Sequence, residues 1–280
     1  MEVEDAMTDS VINLIHEVEL NIFKQFRQLT STLNINYIAL GGTLLGAIRH
    51  QGFIPWDDDM DVGIPREDYE RLLDLAPNIL KNTHYFLQTP WSDSNYALSY
   101  AKLLDRNTFI EERNNVNNAR KGIFLDIFPL DKIPASKERQ RRQILDLRRL
   151  DSRIYLKLRY NIIDNPIRKF QNPLSPEQLQ TAWEYKRQRQ DTMTQFNKRP
   201  NLTVYKNLAS QYAYDKELFT EDQLTNLIDL PFADTTIVAP ADYDEILTNI
   251  YGDYMTLPPE NARTEKHITR LIMDNQEFMV

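Results

Sequence analysis

The chain has 280 residues, of which 41% are hydrophobic and 26% are charged, a balance typical of a folded globular protein. It contains no cysteine, which excludes disulfides, thiolate zinc sites and cysteine nucleophiles, and its net charge of -8 argues against a general nucleic-acid-binding protein. The N-terminus has no basic start followed by an apolar run, and no stretch reaches the roughly 18–20 apolar residues that span a bilayer, so we expect a cytoplasmic protein.

A long amphipathic helix is predicted from about Asp9 to Leu33, because apolar residues recur there at steps of three and four. Asp9 or Ser10 is available to cap its N-terminus. After two asparagines, residues 37–40 are typical of a short buried strand. We predict that the strand-rich part of the chain runs from this strand to about residue 132.

A double glycine follows this first strand. Gly41, Gly42 and Thr43 are predicted to turn the chain into a short helix at residues 44–49. Backbone N–H groups at such a turn can hold phosphate oxygens, because they are exposed at the N-terminus of a helix. Two glycines also occur in ordinary turns, so the pattern indicates a phosphate site only together with the acidic residues that follow it.

Acidic and apolar residues alternate from Asp58 to Ile64, which predicts a second strand. Successive side chains of a strand point to opposite faces, so Asp59 and Asp61 would lie side by side. Two adjacent carboxylates repel unless a cation lies between them, and their oxygens suit Mg²⁺ or Mn²⁺. A solvated loop is the alternative interpretation. A calcium loop is excluded, because Val62 replaces the glycine that such a loop requires.

A third carboxylate, Asp126, stands among apolar residues in a strand predicted at 122–128. A buried aspartate is costly without a partner, so a position beside Asp59 and Asp61 would complete a three-carboxylate site. A structural role at the end of the strand is the alternative. A helix at 66–75 and a strand at 95–104 are predicted between the two acidic strands.

Residues 137–200 are predicted to be helical, and residues 137–169 hold eleven basic and four acidic residues, a net charge of +7. Clustered lysine and arginine contribute roughly 1 kcal/mol each near an anionic membrane, so peripheral contact with the inner face of the membrane is one prediction. A solvated helix paired with acids elsewhere in the chain is the other. The predicted organisation is a catalytic core at 1–136, a basic helical insertion at 137–200 and a segment at 201–280 that completes the catalytic domain.

Three blocks of the sequence resemble the LicD family. They are GGTLLGAIRH from Gly41 running into GFIPWDDDMD from Gly52, GIFLDIFPLD from Gly122, and YGDYM from Tyr251 followed by LPP from Leu257, Arg263 and His267. The resemblance covers most of the chain except the helical middle, and the three blocks in this order are specific. One departure is Met60, which replaces the usual isoleucine between the two aspartates and lies on the side that packs.

The resemblance implies an α+β protein with a nucleotidyltransferase-like mixed sheet, a long N-terminal helix and a helical insertion. It also implies transfer of phosphocholine from CDP-choline to a sugar hydroxyl of a bacterial surface glycan, with release of CMP. The acceptor would be a teichoic acid or polysaccharide precursor, free or lipid-linked. Related fukutin-type proteins transfer ribitol phosphate from CDP-ribitol, so ribitol, glycerol and ethanolamine are alternatives to choline.

Roles for individual residues follow from this comparison. Asp59, Asp61 and Asp126 would hold the metal, with Asp126 also a candidate general base on the acceptor hydroxyl. Trp56 would contact choline, because a quaternary ammonium prefers aromatic faces, and an ordinary core tryptophan is the alternative. The candidates for the donor phosphates are Gly41, Gly42, Thr43, Arg49 and Lys102, and further candidates for the site are Asp57, Asp58, Arg263 and His267.

Two other functional classes are considered. Many nucleotide-sugar glycosyltransferases hold Mn²⁺ through an Asp-x-Asp motif, but they need a nucleotide-binding half before it, and only 56 residues precede Asp57. A non-catalytic nucleotide-binding module is the second class, and the presence of all three carboxylates argues against it. Release of CMP from CDP-choline would separate these classes from a phosphotransferase.

Overall fold

The fold is α+β, as the sequence predicts, and is built around one mixed sheet. A computed structural model describes residues 2–112, 117–160, 173–263 and 268–279, with side chains from Val11 onward. In these parts of the chain, none of the helices has the length and apolar character needed to cross a bilayer.

The elements are numbered in chain order. The helices are α1 (Glu2–Leu33), α2 (Gly41–Arg49), α3 (Arg66–Leu80), α4 (Lys137–Leu158), α5 (Pro176–Thr194), α6 (Glu221–Thr225) and α7 (Tyr243–Tyr251), with a 3-10 turn at Glu260–Ala262. The first strands are β1 (Ile38–Ala39), β2 (Asp61–Pro65), β3 (Tyr85–Gln88), β4 (Ala101–Asp105), β5 (Thr108–Glu112) and β6 (Phe124–Lys132). The later strands are β7 (Val204–Asn207), β8 (Leu218–Thr220), β9 (Leu227–Phe232), β10 (Thr235–Pro240), β11 (Ile268–Met273) and β12 (Gln276–Met279).

The longest strand, β6, organises the main sheet of seven strands. It pairs in parallel with β2 on one side and antiparallel with both β4 and β7 on the other. The sheet continues from β2 to β1, from β4 to β3 and from β7 to β8. Because β7 and β8 come from residues after 200, the C-terminal part of the chain contributes strands to the same sheet as the N-terminal part.

Pro129 lies where the antiparallel partner of β6 changes. β4 pairs with β6 as far as Ile127, and β7 pairs with it from Leu130 onward. Proline has no N–H to donate to a neighbouring strand, so an interruption of the ladder is expected at this residue. The residues that precede β4 and those that follow β7 flank this interruption and line two cavities described below.

The predicted N-terminal helix is confirmed, but its start is earlier. α1 begins at Glu2, so neither Asp9 nor Ser10 is its N-cap. Its apolar face is buried in the main core, where the rings of Phe26 and Tyr37 meet edge to face with centroids 5.0 Å apart. The helix thus covers the sheet with the stripe that its sequence pattern predicts.

The acidic strand is shorter than predicted. β2 begins at Asp61 and not at Asp58, at the point where its parallel pairing with β6 begins opposite Asp126. Residues 57–60 therefore approach the sheet without joining it. α3, predicted to end at residue 75, continues to Leu80.

The strand predicted at 95–104 also begins late, at Ala101. The Asp93 carboxylate accepts hydrogen bonds from the backbone N–H groups of Asn95 and Arg120, at 3.0 and 2.8 Å. These bonds hold the segment before β4 in a turn. The strand predicted at 122–128 begins at Phe124 and runs on to Lys132.

Two helices, α4 and α5, pack against each other and occupy the predicted helical middle. They run antiparallel, because Gln143 near the start of α4 donates to the Thr192 carbonyl near the end of α5 at 3.0 Å. The Ser175 side chain and Gln178 form a capping box at the start of α5. Arg189 of α5 donates to the carbonyl of Ala97 and to the Asp151 carboxylate of α4, both at 2.8 Å, which fixes the pair to the core. The basic residues Arg168 and Lys169 lie outside the described residues.

Candidate active site

Asp61 and Asp126 lie side by side, as predicted. They are direct partners in the parallel register of β2 and β6, and the Asp126 N–H donates to the Met60 carbonyl at 2.9 Å. Partners in neighbouring strands point to the same face of a sheet, and strands are about 4.8 Å apart. The two carboxylates are therefore held close together by backbone pairing.

Asp59 joins them although it lies outside β2. All three carboxylates line one cavity of 240 Å³, which we call the reaction cavity, together with Lys102 and Glu112. The backbone at residues 57–60 brings Asp59 there because Asp57 N–H donates to the Ile54 carbonyl at 3.0 Å and starts the approach with a turn. The sequence prediction that Asp59 lies near Asp61 is therefore correct, although the strand that was expected to carry both residues begins only at Asp61.

Burial and mutual repulsion both act on these acids. Burial raises the pKa of Asp126 to about 7, against the opposing effect of Lys102 and with the added repulsion of Asp59. Burial and the charges of Asp59 and Asp126 also raise the pKa of Asp61 well above its usual value. The cavity thus holds more negative charge than its one buried lysine compensates, and a bound cation would relieve it.

Lys102 is brought into the same cavity, where it pairs with acids. Burial lowers the pKa of Lys102, but Asp126 and Glu112 outweigh that effect and the net shift is upward. Its ammonium lies 3.1 Å from the Glu112 carboxylate and 3.7 Å from Asp126. Lys102 therefore lies against the general-base candidate, and its predicted role as a phosphate ligand stays a prediction.

The donor set fits a hard divalent cation by its chemistry. Asp126 Oδ1 is buried and has no hydrogen-bond partner among the described residues. The Lys102 ammonium lies 3.7 Å from this same oxygen, beyond hydrogen-bond distance, and a buried carboxylate oxygen in this state beside two further aspartates suits an oxygen-ligated Mg²⁺ or Mn²⁺ ion. In the described parts of the chain, no three Asp, Glu, His or Cys side chains already stand in a ready-made metal-binding arrangement. The metal therefore stays a prediction, to be tested by titration.

A second cavity of 390 Å³, which we call the donor cavity, adjoins the reaction cavity and shares Asp59 and Asp61 with it. It opens at the N-terminus of α2. The predicted glycine turn is in fact the first turn of that helix, which begins at Gly41 with a φ of 47°. The first N–H groups of a helix have no partner within the helix, and together with the positive end of the helix dipole they favour phosphate. Gly42, Arg49, Trp56 and Asp57 all line this cavity.

Two of the predicted phosphate ligands are used within the protein. The Thr43 hydroxyl accepts a hydrogen bond from the Asp61 N–H at 2.8 Å, so it fixes the start of β2. Arg49 donates to the carbonyl of Tyr254 at 2.9 Å and to the His50 ring at 3.0 Å. Arg49 nevertheless lines the donor cavity, whereas neither Thr43 nor Gly41 is among its lining residues.

Gly42 is expected to be essential for the shape of the donor cavity. A Cβ at this position would lie 2.6 Å from Asp57 Oδ2, closer than any real contact. We expect Gly42→Ala to displace that carboxylate and to lower kcat/KM for the donor by about 10- to 100-fold, the cost of a misplacement near 1 Å. The measurement is donor turnover by purified variants.

Gly52→Ala is the matched control for this substitution. A Cβ at Gly52 meets nothing closer than 3.5 Å. The control should retain wild-type kcat/KM, and equal activity of both variants would show that the close approach of Gly42 to Asp57 has no catalytic importance.

Trp56 lies in the donor cavity, and one of its faces already contacts a cation. The guanidinium of Arg263 lies 5.2 Å from the centre of the Trp56 ring and donates through Nε to the Pro258 carbonyl at 2.9 Å. Arg263 is thus brought to the site, as predicted from the third block. The predicted contact of Trp56 with choline stays a prediction. His267 lies outside the described residues.

Asp57 and Asp58 are held by opposite ends of the chain. His16 of α1 donates from Nε2 to the Asp57 carbonyl at 2.7 Å, and its ring stacks on Phe53 with centroids 4.1 Å apart. Asp58 Oδ2 accepts from the Ile268 N–H of β11 at 2.7 Å. Both contacts position the acidic segment, and Asp58 is fully buried, which favours a structural role for it.

Sequence reasoning missed Glu19, which lies beneath the acidic segment. Its side chain is 1% exposed, and burial together with the charges of Asp59 and Asp58 raises its pKa well above the usual value. A signal was present in the sequence. Glu19 occupies the buried face of α1 in the same three- and four-residue steps as Ile15 and Ile22, and a glutamate at such a position needs an explanation.

The comparisons with known proteins agree with this geometry. Residues 34–148 match the family model described as "LicD/FKTN/FKRP, nucleotidyltransferase domain". The lipopolysaccharide cholinephosphotransferase LicD of Haemophilus influenzae is 31% identical over 256 residues, an alignment that covers 89% of this chain and 93% of that protein. Uncharacterized proteins of Rickettsia prowazekii and Rickettsia typhi are 48% and 46% identical over 56 residues, or 20% of this chain.

Proposed function

Because this chain belongs to the LicD family, we propose that it is a transferase that moves phosphocholine from CDP-choline to a sugar hydroxyl of a bacterial surface glycan and releases CMP. The observation that carries the proposal is the junction of two cavities at Asp59 and Asp61, with Asp126 on one side and the N-terminus of α2 on the other. Phosphoryl transfer depends mainly on positioning and charge stabilisation, and this junction offers both.

The residues divide the chemistry between them. Gly42 binds donor phosphate oxygens through its backbone N–H group at the start of α2, and Arg49 adds a positive charge on the same wall. Asp126 accepts the proton of the acceptor hydroxyl. Without a metal the pKa of this buried carboxylate is raised to about 7, and a bound cation would lower it, so that the carboxylate is ionised and able to accept a proton at neutral pH. Burial of this carboxylate at 5% exposure keeps water from competing for it.

Asp59 and Asp61 would hold a Mg²⁺ or Mn²⁺ ion, with Asp126 at its edge. When bound, such an ion would neutralise negative charge on the pyrophosphate and on the leaving oxygen. Lys102, paired with Asp126 and Glu112, keeps the base oriented toward the reaction cavity.

CMP release with a panel of donors tests this function. CDP-choline, CDP-ethanolamine, CDP-ribitol and CDP-glycerol would be compared, with a UDP-hexose to detect glycosyltransfer, in Mg²⁺, in Mn²⁺ and with a chelator. We expect CDP-choline to give the highest kcat/KM and the chelator to abolish CMP release. Preference for another CDP-alcohol would change the transferred group, and release of UDP alone would overturn the phosphotransferase assignment.

We also propose that the outer face of α4 contacts an anionic membrane. Leu145 and Leu156 are 46% and 78% exposed, and they lie three helical turns apart on one side of the helix. Exposed arginines border this apolar pair on both sides. A helix face that combines exposed apolar side chains with arginines can bind in the plane of a membrane surface. The bordering residues are Arg141, Arg142, Arg148, Arg149 and Arg153.

Vesicle flotation tests the membrane contact. The protein should float with phosphatidylglycerol vesicles and not with phosphatidylcholine vesicles, and added salt should weaken the binding. Leu145→Ser combined with Leu156→Ser should reduce recovery by about tenfold, since burial of each leucine contributes roughly 1.5–3 kcal/mol when complete. Leu75→Ser, at a residue 39% exposed on α3, is the control. Equal recovery with neutral and anionic vesicles would contradict the proposal.

A further inference from the structure

A third cavity lies between α4 and the segment that follows β7. Its volume is 610 Å³, the largest of the three, and within the 300–1,000 Å³ that is usual for ligand pockets. One wall is formed by α4 and another by the residues just before β4. None of the roles assigned above uses it. The lining residues that carry the argument are Ser99, Tyr100, Arg148, Ser152, Tyr155 and Tyr214.

The three cavities are arranged in a row. The reaction cavity shares Asp59 and Asp61 with the donor cavity, and it shares Tyr100 and Ser210 with the third cavity. Gln211 and Tyr212 line all three, whereas the donor cavity and the third cavity have no other residue in common. The reaction cavity, with Asp126, therefore lies between the other two.

This order matches the geometry of phosphoryl transfer. The attacking and leaving oxygens lie roughly in line on opposite sides of the phosphorus. If CMP leaves through the donor cavity, the attacking hydroxyl must come from the far side of the reaction cavity. We propose that the third cavity binds the acceptor as a hexopyranoside, with one hydroxyl directed toward Asp126. This inference rests on the proposed function, which supplies the direction of the leaving group.

The walls have the chemistry that a sugar ring requires. Tyr100, Tyr155 and Tyr214 line the cavity, and the parts of their rings that are not packed against neighbouring side chains can contact the C–H side of a pyranose. The Tyr214 hydroxyl already donates to Gln143 Oε1 at 3.2 Å and keeps its lone pairs for a further hydrogen bond. The hydroxyls of Ser99 and Ser152 and the guanidinium of Arg148 add donors and acceptors for sugar hydroxyls. Ser152 and Arg148 lie on the exposed side of α4, so the cavity opens where a glycan can enter.

The shared wall is fixed before any ligand binds. The ammonium of Lys206, which is 1% exposed, donates to the Lys216 carbonyl at 2.8 Å and so closes the loop that carries Gln211 and Tyr212. The hydroxyl groups of Tyr212 and Tyr251 lie 2.7 Å apart, which ties the same loop to α7. A preformed wall spares a ligand the entropy cost of ordering it.

Bulky substitutions in the third cavity test the inference with two methyl hexosides, methyl glucoside and methyl galactoside, as probes. The rate of CMP release from the best CDP-alcohol would be measured with and without hexoside. The ratio of these two rates is called the acceptor stimulation. Ser99→Leu and Ser152→Trp fill the cavity from opposite walls. Gln188→Trp introduces the same tryptophan side chain as Ser152→Trp at an exposed position of α5 that lines none of the three cavities, and serves as the control.

We expect both hexosides to stimulate CMP release by the wild type and by Gln188→Trp. In both cavity variants the hexoside concentration that gives half of the maximal stimulation should rise by about tenfold or more. Wild-type stimulation in both cavity variants would overturn the inference, as would hexosides without effect on a wild type that releases CMP. A wild type that releases no CMP from any CDP-alcohol would refute the proposed function, and the cavity assignment with it.

Discussion

Asp126→Asn is expected to lower kcat for phosphocholine transfer by roughly 10²- to 10⁴-fold, the usual contribution of a positioned general base. The asparagine keeps the shape of the side chain but cannot accept a proton from the acceptor hydroxyl. Folding should be preserved, because the substitution removes one charge from a cavity that holds an excess of acids, and Lys102 keeps its 3.1 Å contact with Glu112. The measurement is steady-state CMP release with saturating donor and acceptor.

Glu217→Gln distinguishes the chemistry of Asp126 from the general charge of the cavity. Glu217 is 3% exposed, lines the same cavity, and has a pKa raised by burial, so its replacement removes a comparable charge nearby. We expect this variant to keep most of the wild-type rate. A wild-type rate in Asp126→Asn, or an equal loss in both variants, would remove Asp126 from its role as base.

The pairing of Asp61 with Asp126 could be predicted from the sequence because strands leave strong local signals. Alternating acids, a lone aspartate in an apolar run and the resemblance of both blocks to one family all indicated adjacent strands. The exact boundary of β2 could not be predicted in this way. It depends on where the parallel pairing with β6 begins, opposite Asp126, and that is a property of the assembled sheet.

The contributions of distant segments to the site could not be predicted in the same manner. Gln211 and Tyr212 touch all three cavities, yet they lie in a loop with no motif, and the buried Lys206 that holds this loop is an ordinary lysine in the sequence. Their position depends on the antiparallel pairing of β7 with the C-terminal half of β6. Such contacts are fixed by tertiary pairing and not by local periodicity.

A buried ion pair is a further tertiary contact that could not be predicted from the sequence. Arg66, the first residue of α3, donates from Nε and Nη2 to both carboxylate oxygens of Asp131 on β6, at 2.8 and 2.6 Å. The Asp131 side chain is fully buried, and the charge of Asp131 outweighs the effect of burial and raises the pKa of Arg66. Asn197, just beyond α5, donates to the same carboxylate at 2.6 Å. The pair therefore links the sheet to α3 and to the helical middle.

Arg66→Met is expected to lower the free energy of unfolding by roughly 3–5 kcal/mol, because it leaves the Asp131 carboxylate buried without its cation. The melting temperature should fall by about 10 °C, since 1 kcal/mol corresponds to roughly 2–4 °C in proteins of 150–250 residues. Urea denaturation followed by circular dichroism measures the first quantity and a thermal melt the second. Lys24→Met is the control, because Lys24 and Asp234 form an exposed pair at 2.7 Å that should contribute at most about 1 kcal/mol.

The double substitution Arg66→Met with Asp131→Leu distinguishes two possible causes of the stability loss in Arg66→Met: an uncompensated buried charge, and the lost anchoring of α3 to β6. If the loss in Arg66→Met comes from an uncompensated buried charge, removal of both charges should recover a large part of the stability, since apolar replacements of buried pairs are often tolerated. If the loss comes from the anchoring of α3 and Asn197 to β6, the double variant should remain as unstable as the single one. A single variant no less stable than Lys24→Met would show that the pair does not stabilise the fold.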